Sequence, residues 1–466
     1  MVVHKNNFWS ITLIYSIGFL SLRAISFLLL PLYTNLLTTR EAGYVFILYT
    51  IIAFFNTIYT HGMDSSLLKF YTNQQSEKII TTSIFYSILY GLLLSVILYF
   101  LNQPLQYFNS VSFYSTNKLA FCLLCILFCD MLSSRLMTII RLLEKPFYFL
   151  IVSCLNVAAS LYLNIYLIMI LNMGFDGALL SLVGVSLIQL LILSPLVLFS
   201  VKFQQFDYGL LKKMVNFSIP FLPASVFFIM IEMADRLMIG WLSSVENVGL
   251  YGAGYKIGAV VLLVVRAFNL NWQPFYLKNE NINRTDQFEN IGTRFVVILI
   301  FIATIVSMLW SLLFKININN VFLIGQEFWS GGVVIPIIAF SYVIYGVFIL
   351  QMPSIYIKNK QNWVPFFWGL GFMINVSGNY LLIPVWGFYG ASLATLLSYS
   401  AMTVFLIYKN QRWLPIKYKL SDIVYMITIS FIALCLYSQA MVGIEIILII
   451  YLIFSVAQII NMKKNV

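Results

Sequence analysis

Three cations stand inside long apolar runs: Arg23 in the first run, Lys256 and Arg266 in the eighth. A charge near the middle of a bilayer costs about 2.5 to 3.5 kcal/mol on insertion scales, and it persists where it faces protein or a watery cavity. Two chemistries fit such residues. Either they line a cavity and attract an anionic head group, a phosphate or pyrophosphate, with Arg offering a bidentate fork, or each pairs structurally with a buried acid or a helix C-terminus. Arg23 lies roughly 20 Å from the outer end of its helix, and Ser16 and Ser26 share its face. Lys256 and Arg266 are about 15 Å apart along one helix and about 80° around it, which makes them two rungs of one wall. The acid expected well inside a crossing is Asp130, at a depth similar to Arg23. It is either a proton or sodium coupling site or the partner that neutralises Arg23. Glu232 and Glu445 are expected at the outer surface, Asp64 and His61 at the inner one, and Arg135, about 9 Å from its helix end, within snorkelling reach of water.

Other chemistries are poorly supplied. Cys122, Cys125 and Cys129 share a helical face, but three thiols on one lipid-embedded helix with no nearby His do not suit zinc, so no metal or other cofactor is expected beyond a coupling Na+ or H+. All five cysteines lie in apolar runs and read as small packing residues. His4 and His61 are the two histidines, and neither a nucleophile-plus-base arrangement nor a phosphate-cradling glycine loop is present, so an enzyme is not expected.

The elements that must position these residues are membrane helices. Of 466 residues, 61% are apolar and 9% charged, against about 25% charged in a soluble domain. A spanning helix needs about 20 apolar residues, and apolar windows, from 8–36 to 441–460, number about fourteen. The first is too long for a cleaved signal sequence and is expected to remain as a helix. The formal charge of +11 comes from 27 Lys and Arg against 16 Asp and Glu. Their clustering between apolar runs matches cytoplasmic loops against anionic lipid, not nucleic-acid contacts. With the N-terminus inside, most cations fall on the cytoplasmic side, while Arg40, Lys118, Arg236 and Lys315 fall outside. Both termini are then cytoplasmic.

An internal repeat divides the chain. LTTREAGY from Leu37 matches LSSVENVGLY from Leu242, and GFDGALLSL from Gly174 matches GFYGASLATL from Gly387, each pair falling in equivalent outer turns. Two copies of a six-helix bundle in the same orientation imply cargo binding between lobes. The expected organisation is an N-lobe over 1–201, an interfacial linker over 202–213, a C-lobe over 214–416 and two further helices over 417–466. Pro220 and Pro223 fall in the first turns of helix seven and Pro336 within helix ten, where proline bends a spanning helix and marks either a place where a lobe flexes or a kink held in static packing. The equivalents of Lys256 and Arg266 in helix two are Thr50 and Thr60, so the wall is cationic in the second lobe alone.

LPLYTNLLTTREAGYVF from Leu30, DRLMIGWLSSVENVGLYGAGYKIG from Asp235, NWQPFY from Asn271 and NYLLIPVWGFYGASLATLLSYSAM from Asn379 resemble the polysaccharide or lipid-linked oligosaccharide flippases (Wzx-type, RfbX-like) of the multidrug/oligosaccharidyl-lipid/polysaccharide (MOP) exporter superfamily. The resemblance covers nearly the whole chain. It implies an all-α polytopic membrane protein of two pseudo-symmetric six-helix MATE-like lobes plus two C-terminal helices, in the bacterial cytoplasmic membrane. It further implies alternating access and an undecaprenyl-diphosphate-linked oligosaccharide as cargo, with membrane lipids and glycan-assembly enzymes as partners. Cavity arginines hold the pyrophosphate in this family, a role that Arg23 and Arg266 match. Lys69 departs from the pattern, standing where relatives often carry Arg.

Three rivals make different demands. A cation-coupled multidrug exporter of the same fold calls for a buried acid in helix one, where this chain has Arg23. A membrane-embedded glycan polymerase or ligase calls for a large outer loop with Arg or His, and no inter-helix segment exceeds about twenty residues. A scaffold for a synthesis complex has no use for buried cations.

Overall fold

The structure, a computed structural model, describes residues 27–71, 75–200, 202–278, 285–318, 321–358, 360–416, 418–438 and 444–464, with Gly18, Ser21, Leu22 and Ile25 before them. Arg23, Ser16, Ser26, His4 and the side chain of Glu445 lie outside the described residues. The described chain is almost entirely helical because in lipid each backbone N–H and C=O must find its partner within its own segment.

In the first unit, residues 1–229, the helices are α1 (Phe27–Leu36), α2 (Thr39–Thr60), α3 (Met63–Phe70), α4 (Ser76–Phe100), α5 (Thr116–Leu142), α6 (Pro146–Asn164), α7 (Gly174–Ser200), α8 (Tyr208–Ser218) and the start of α9 (Phe221–Leu242). The second unit, residues 230–466, holds the rest of α9, then α10 (Val245–Gly258), α11 (Val260–Lys278), α12 (Thr285–Lys315), α13 (Ile335–Gln351), α14 (Pro353–Ile357), α15 (Val364–Trp413), α16 (Leu420–Ser438) and α17 (Ile444–Lys464). Two-residue strands, Asn317–Ile318 and Val321–Phe322, pair antiparallel between α12 and α13. Among the described residues nine helical runs are long and apolar enough to cross a membrane, and α10 with α11 makes a tenth span bent by 45°. The run over Gln361–Trp413 contains two crossings, because Gly387 breaks it. With α9 and the shorter apolar helices Phe27–Leu36 and Ile446–Ile460, the architecture is compatible with fourteen crossings.

The repeated motifs perform the same local tasks in both units. Thr38 caps α2 through a capping box with Glu41, and Ser244 caps α10 by accepting from the Asn247 amide, each satisfying an N-terminal donor that the helix itself cannot. Gly174 (φ +51°) and Gly387 (φ +57°) take left-sided backbone conformations that cost an L side chain strain, so the chain reverses from α6 into α7 and again within α15.

Helix seven differs from expectation. The apolar run over 214–234 predicts a single crossing, but α8 ends at Ser218 and α9 runs on to Leu242. Pro220 lacks an N–H to continue α8, and Pro223 falls in the first turn of α9, where a missing N–H costs nothing. The extension of about eight residues brings Asp235 and Arg236 into the helix and leaves Glu232 far from its outer end. Pro336 likewise opens α13, after the tight turn of Gln326–Val334.

The segment 202–213 folds onto the first unit. Asp207 caps α8 through the Leu210 amide and lies 2.5 Å from Lys78, while Lys202 reaches both oxygens of Glu77 at 2.8 and 2.9 Å. Met214 is buried and its carbonyl accepts from Ser66 of α3, whereas Lys212 and Lys213 stay exposed. The Lys78 ammonium and the Leu210 amide hold the Asp207 carboxyl below its usual range.

Candidate functional site

In the second unit the ionisable residues gather where α9, α10, α11 and α13 meet. α9 presents Glu232, Asp235 and Arg236, spaced three and four residues apart on one face. Glu232, expected at the outer surface, is 4% exposed. Its two carboxylate oxygens accept from the Nη2 of Arg266 at 2.9 and 2.7 Å. This is the buried acid that one of the two readings of Arg266 calls for, and it lies deep because α9 continues past the apolar run to Leu242. The Arg266 side chain is nevertheless 30% exposed, against 5% for Glu232, so the pair offers its cationic side outward. Arg236, expected outside, is 6% exposed; it donates to the Glu232 carbonyl and lies 4.4 Å over the Tyr255 ring. Lys256 sits at the end of α10, just before the bend at Ala259, and is half-buried.

Tyrosines tie this cluster together. The Tyr255 hydroxyl donates to the Glu232 carbonyl and bonds the hydroxyl of Tyr342, which packs on Tyr345 and Tyr399. Asp235, fully buried, accepts from Tyr251 at 2.6 Å, Asn379 at 2.9 Å and Thr395 at 2.7 Å. All three are neutral donors. Asn379 Oδ1 and Asn375 Nδ2 are buried with no hydrogen-bond partner among the described residues. The sequence signal for Asp235 is the apolar stretch LMIGWL that follows it, which carries α9 on to Leu242, just before the serine cap of α10 at Ser244.

In the first unit Asp130 lies at the middle of α5, roughly 20 Å from either end. It accepts from Asn56 of α2 at 3.1 Å and Ser186 of α7 at 2.6 Å. Its expected pairing with Arg23 lies outside the described residues. It is not the lone acid deep in a crossing, since Glu232 and Asp235 share that property. The expectation for Arg135 is overturned: its side chain is 0% exposed, and instead of snorkelling it binds Asp64 at 2.6 Å and Ser87 at 3.2 Å. Its route to water is closed by helix packing, and the carboxylate of α3 comes to it. His61, expected to be solvated, is 3% exposed, with its ring against Tyr86 and Tyr90. Thr50 and Thr60 bond back to carbonyls of their own helix. Lys69 places its ammonium 3.8 Å over the Phe217 ring of α8.

Comparison with known proteins adds what local geometry does not. The fold is similar to that of the lipid II flippase MurJ in an inward closed conformation (TM-score 0.68, 14% identity, covering 97% of this chain and 98% of that one). It is also similar to an inward-facing multidrug resistance MATE family transporter of the MOP superfamily (TM-score 0.64, 11% identity, 84% and 94%) and to the Vibrio cholerae MATE transporter VcmN in its bent form (TM-score 0.54, 14% identity, 87% and 96%). At these identities the likeness establishes the fold. No curated protein sequence matches the chain significantly. The family model of polysaccharide biosynthesis proteins matches residues 7–274, more than half of the sequence. This multi-pass membrane protein, with the fold of MOP transporters, therefore belongs to the polysaccharide biosynthesis protein family.

Proposed function

We propose that the protein is a flippase that carries an undecaprenyl-diphosphate-linked oligosaccharide from the inner to the outer leaflet of a bacterial cytoplasmic membrane by alternating access. Both termini are placed in the cytoplasm by the distribution of cations. Arg266, Lys256 and Arg23 are assigned to the pyrophosphate. The observation that carries this reading is the Arg266–Glu232 pair: a guanidinium held by a more deeply buried carboxylate yet 30% exposed. A diphosphate can replace that carboxylate as the acceptor of charge-assisted hydrogen bonds, so the cation is never left unpaired in a low-dielectric site. A cationic drug would meet repulsion at the same place.

Energy for the cycle is assigned to a cation at Asp235. A fully buried carboxylate with neutral donors, beside an amide oxygen lacking a partner among the described residues, has the oxygen chemistry that a small cation requires. Asp235, Asn379 and Thr395 would hold it, and its transfer down its own electrochemical gradient would supply energy to the transport step.

Reconstitution with a labelled undecaprenyl-diphosphate oligosaccharide tests the function. Arg266→Ala and Arg23→Ala should each lower the initial flipping rate by about tenfold or more, the effect expected for loss of about 1.4 kcal/mol or more of charge-assisted bonding. Unchanged transport in both variants would remove the proposed site.

A further inference from the structure

The first unit contains a second grouping with the chemistry of the Asp235 cluster, on three different helices. Asn56 of α2, Asp130 of α5 and Ser186 of α7 bring together an amide, a carboxylate and a hydroxyl, as Asn379, Asp235 and Thr395 do in the second unit. In both groups the asparagine donates its amide N–H to the carboxylate. In both, the amide oxygen is buried with no partner among the described residues: Asn56 Oδ1 in one, Asn379 Oδ1 in the other. A buried acceptor without a donor costs about 1 to 3 kcal/mol, and a carboxylate in mid-membrane costs more unless compensated. One occupant compensates the carboxylate and gives the amide oxygen a partner. A small cation beside Asp130 neutralises the carboxylate, and rotation of the Asn56 amide by half a turn turns its oxygen toward that ion.

We infer that Asp130, Asn56 and Ser186 form a binding site for one monovalent cation of sodium size within the first unit. A single carboxylate with two neutral oxygens supplies one negative charge, which matches a monovalent ion; calcium sites draw on more oxygens and commonly on several carboxylates. Asp130 is half-buried, whereas Asp235 is fully buried. The site is separate from Asp235, in the other unit, and does not depend on the identity of the transported lipid.

Equilibrium dialysis of the purified full chain with 22Na+, at pH 7.5 and constant ionic strength with choline as the replacing cation, reads the site directly. The wild type should bind two ions per chain, Asp130→Asn and Asp235→Asn one each, and the double variant none. Ser186→Ala keeps the carboxylate and removes one oxygen, so it should weaken the ion lost in Asp130→Asn by about tenfold, and it covers the case in which Asp130→Asn does not fold. One ion in the wild type that survives Asp130→Asn but is lost in Asp235→Asn overturns this site and leaves the other standing. One ion lost in Asp130→Asn and retained in Asp235→Asn does the reverse. No bound sodium, the result if Arg23 or a proton satisfies Asp130, overturns the inference.

Discussion

Removing Asp64 tests whether the buried charge of the first unit is held as described. The Arg135 side chain is 0% exposed and its Nη1 lies 2.6 Å from Asp64 Oδ1; Ser87 is the second side chain that bonds it. Breaking a buried pair by deleting one partner costs about 3 to 5 kcal/mol, because the remaining charge is stranded. Asp64 is itself 27% exposed, so water can partly fill the space vacated in Asp64→Ala, and the lower end, about 3 kcal/mol, applies. For a unit of roughly 200 residues this corresponds to about 6 to 12 °C in Tm. Arg135→Met leaves a part-exposed carboxylate still bonded by Ser134 and should cost less. The double variant should be more stable than Asp64→Ala alone, with a coupling energy of about 2 kcal/mol. Thermal unfolding in detergent, followed by tryptophan fluorescence at one scan rate because irreversible unfolding makes Tm rate-dependent, measures all four proteins. Additivity within about 0.5 kcal/mol would refute the description of Arg135 as a stranded charge in waiting.

Two further outcomes concern the turns and the clasp. Gly387→Ala should destabilise by about 1 to 3 kcal/mol through backbone strain alone, since nothing lies within 4 Å of the added methyl, whereas Gly174→Ala should cost more because its methyl would stand 2.5 Å from Glu41 Oε1 and the carboxylate cannot swing away without releasing Oε2 from Thr38 in the α2 capping box; equal Tm losses would contradict this. The Asp207 carboxyl is held below the ordinary 3.8 of an aspartate by the Lys78 ammonium and the Leu210 amide, so its contribution to docking 202–213 is complete at neutral pH and is lost as pH falls through the lower folded value. Pepsin cleavage near Phe206 should therefore accelerate below about pH 3.8 in the wild type, and Asp207→Asn should lack that step.

Much of the architecture was legible because lipid allows few solutions: apolar run length indicates helices. The repeat was legible for a related reason. Thr38 and Ser244 cap helices, and Gly174 and Gly387 reverse the chain, through short-range interactions that a few neighbouring residues determine. Helix seven failed on its boundary. The apolar run closes near residue 234, whereas α9 continues for about eight residues, so Asp235 and Arg236 lie inside the helix and Glu232 lies well away from its outer end.

The sequence by itself determined the membrane helices, the duplication, and the existence of charges that must be compensated inside the bilayer. The tertiary structure alone decided the compensation: Glu232 for Arg266, Asp64 for Arg135, neutral donors for Asp130 and Asp235. Partners 34 and 71 positions apart in the chain leave no periodic trace, because an ion pair depends on which helix faces pack together, whereas hydrophobic spacing within a helix depends on that helix alone.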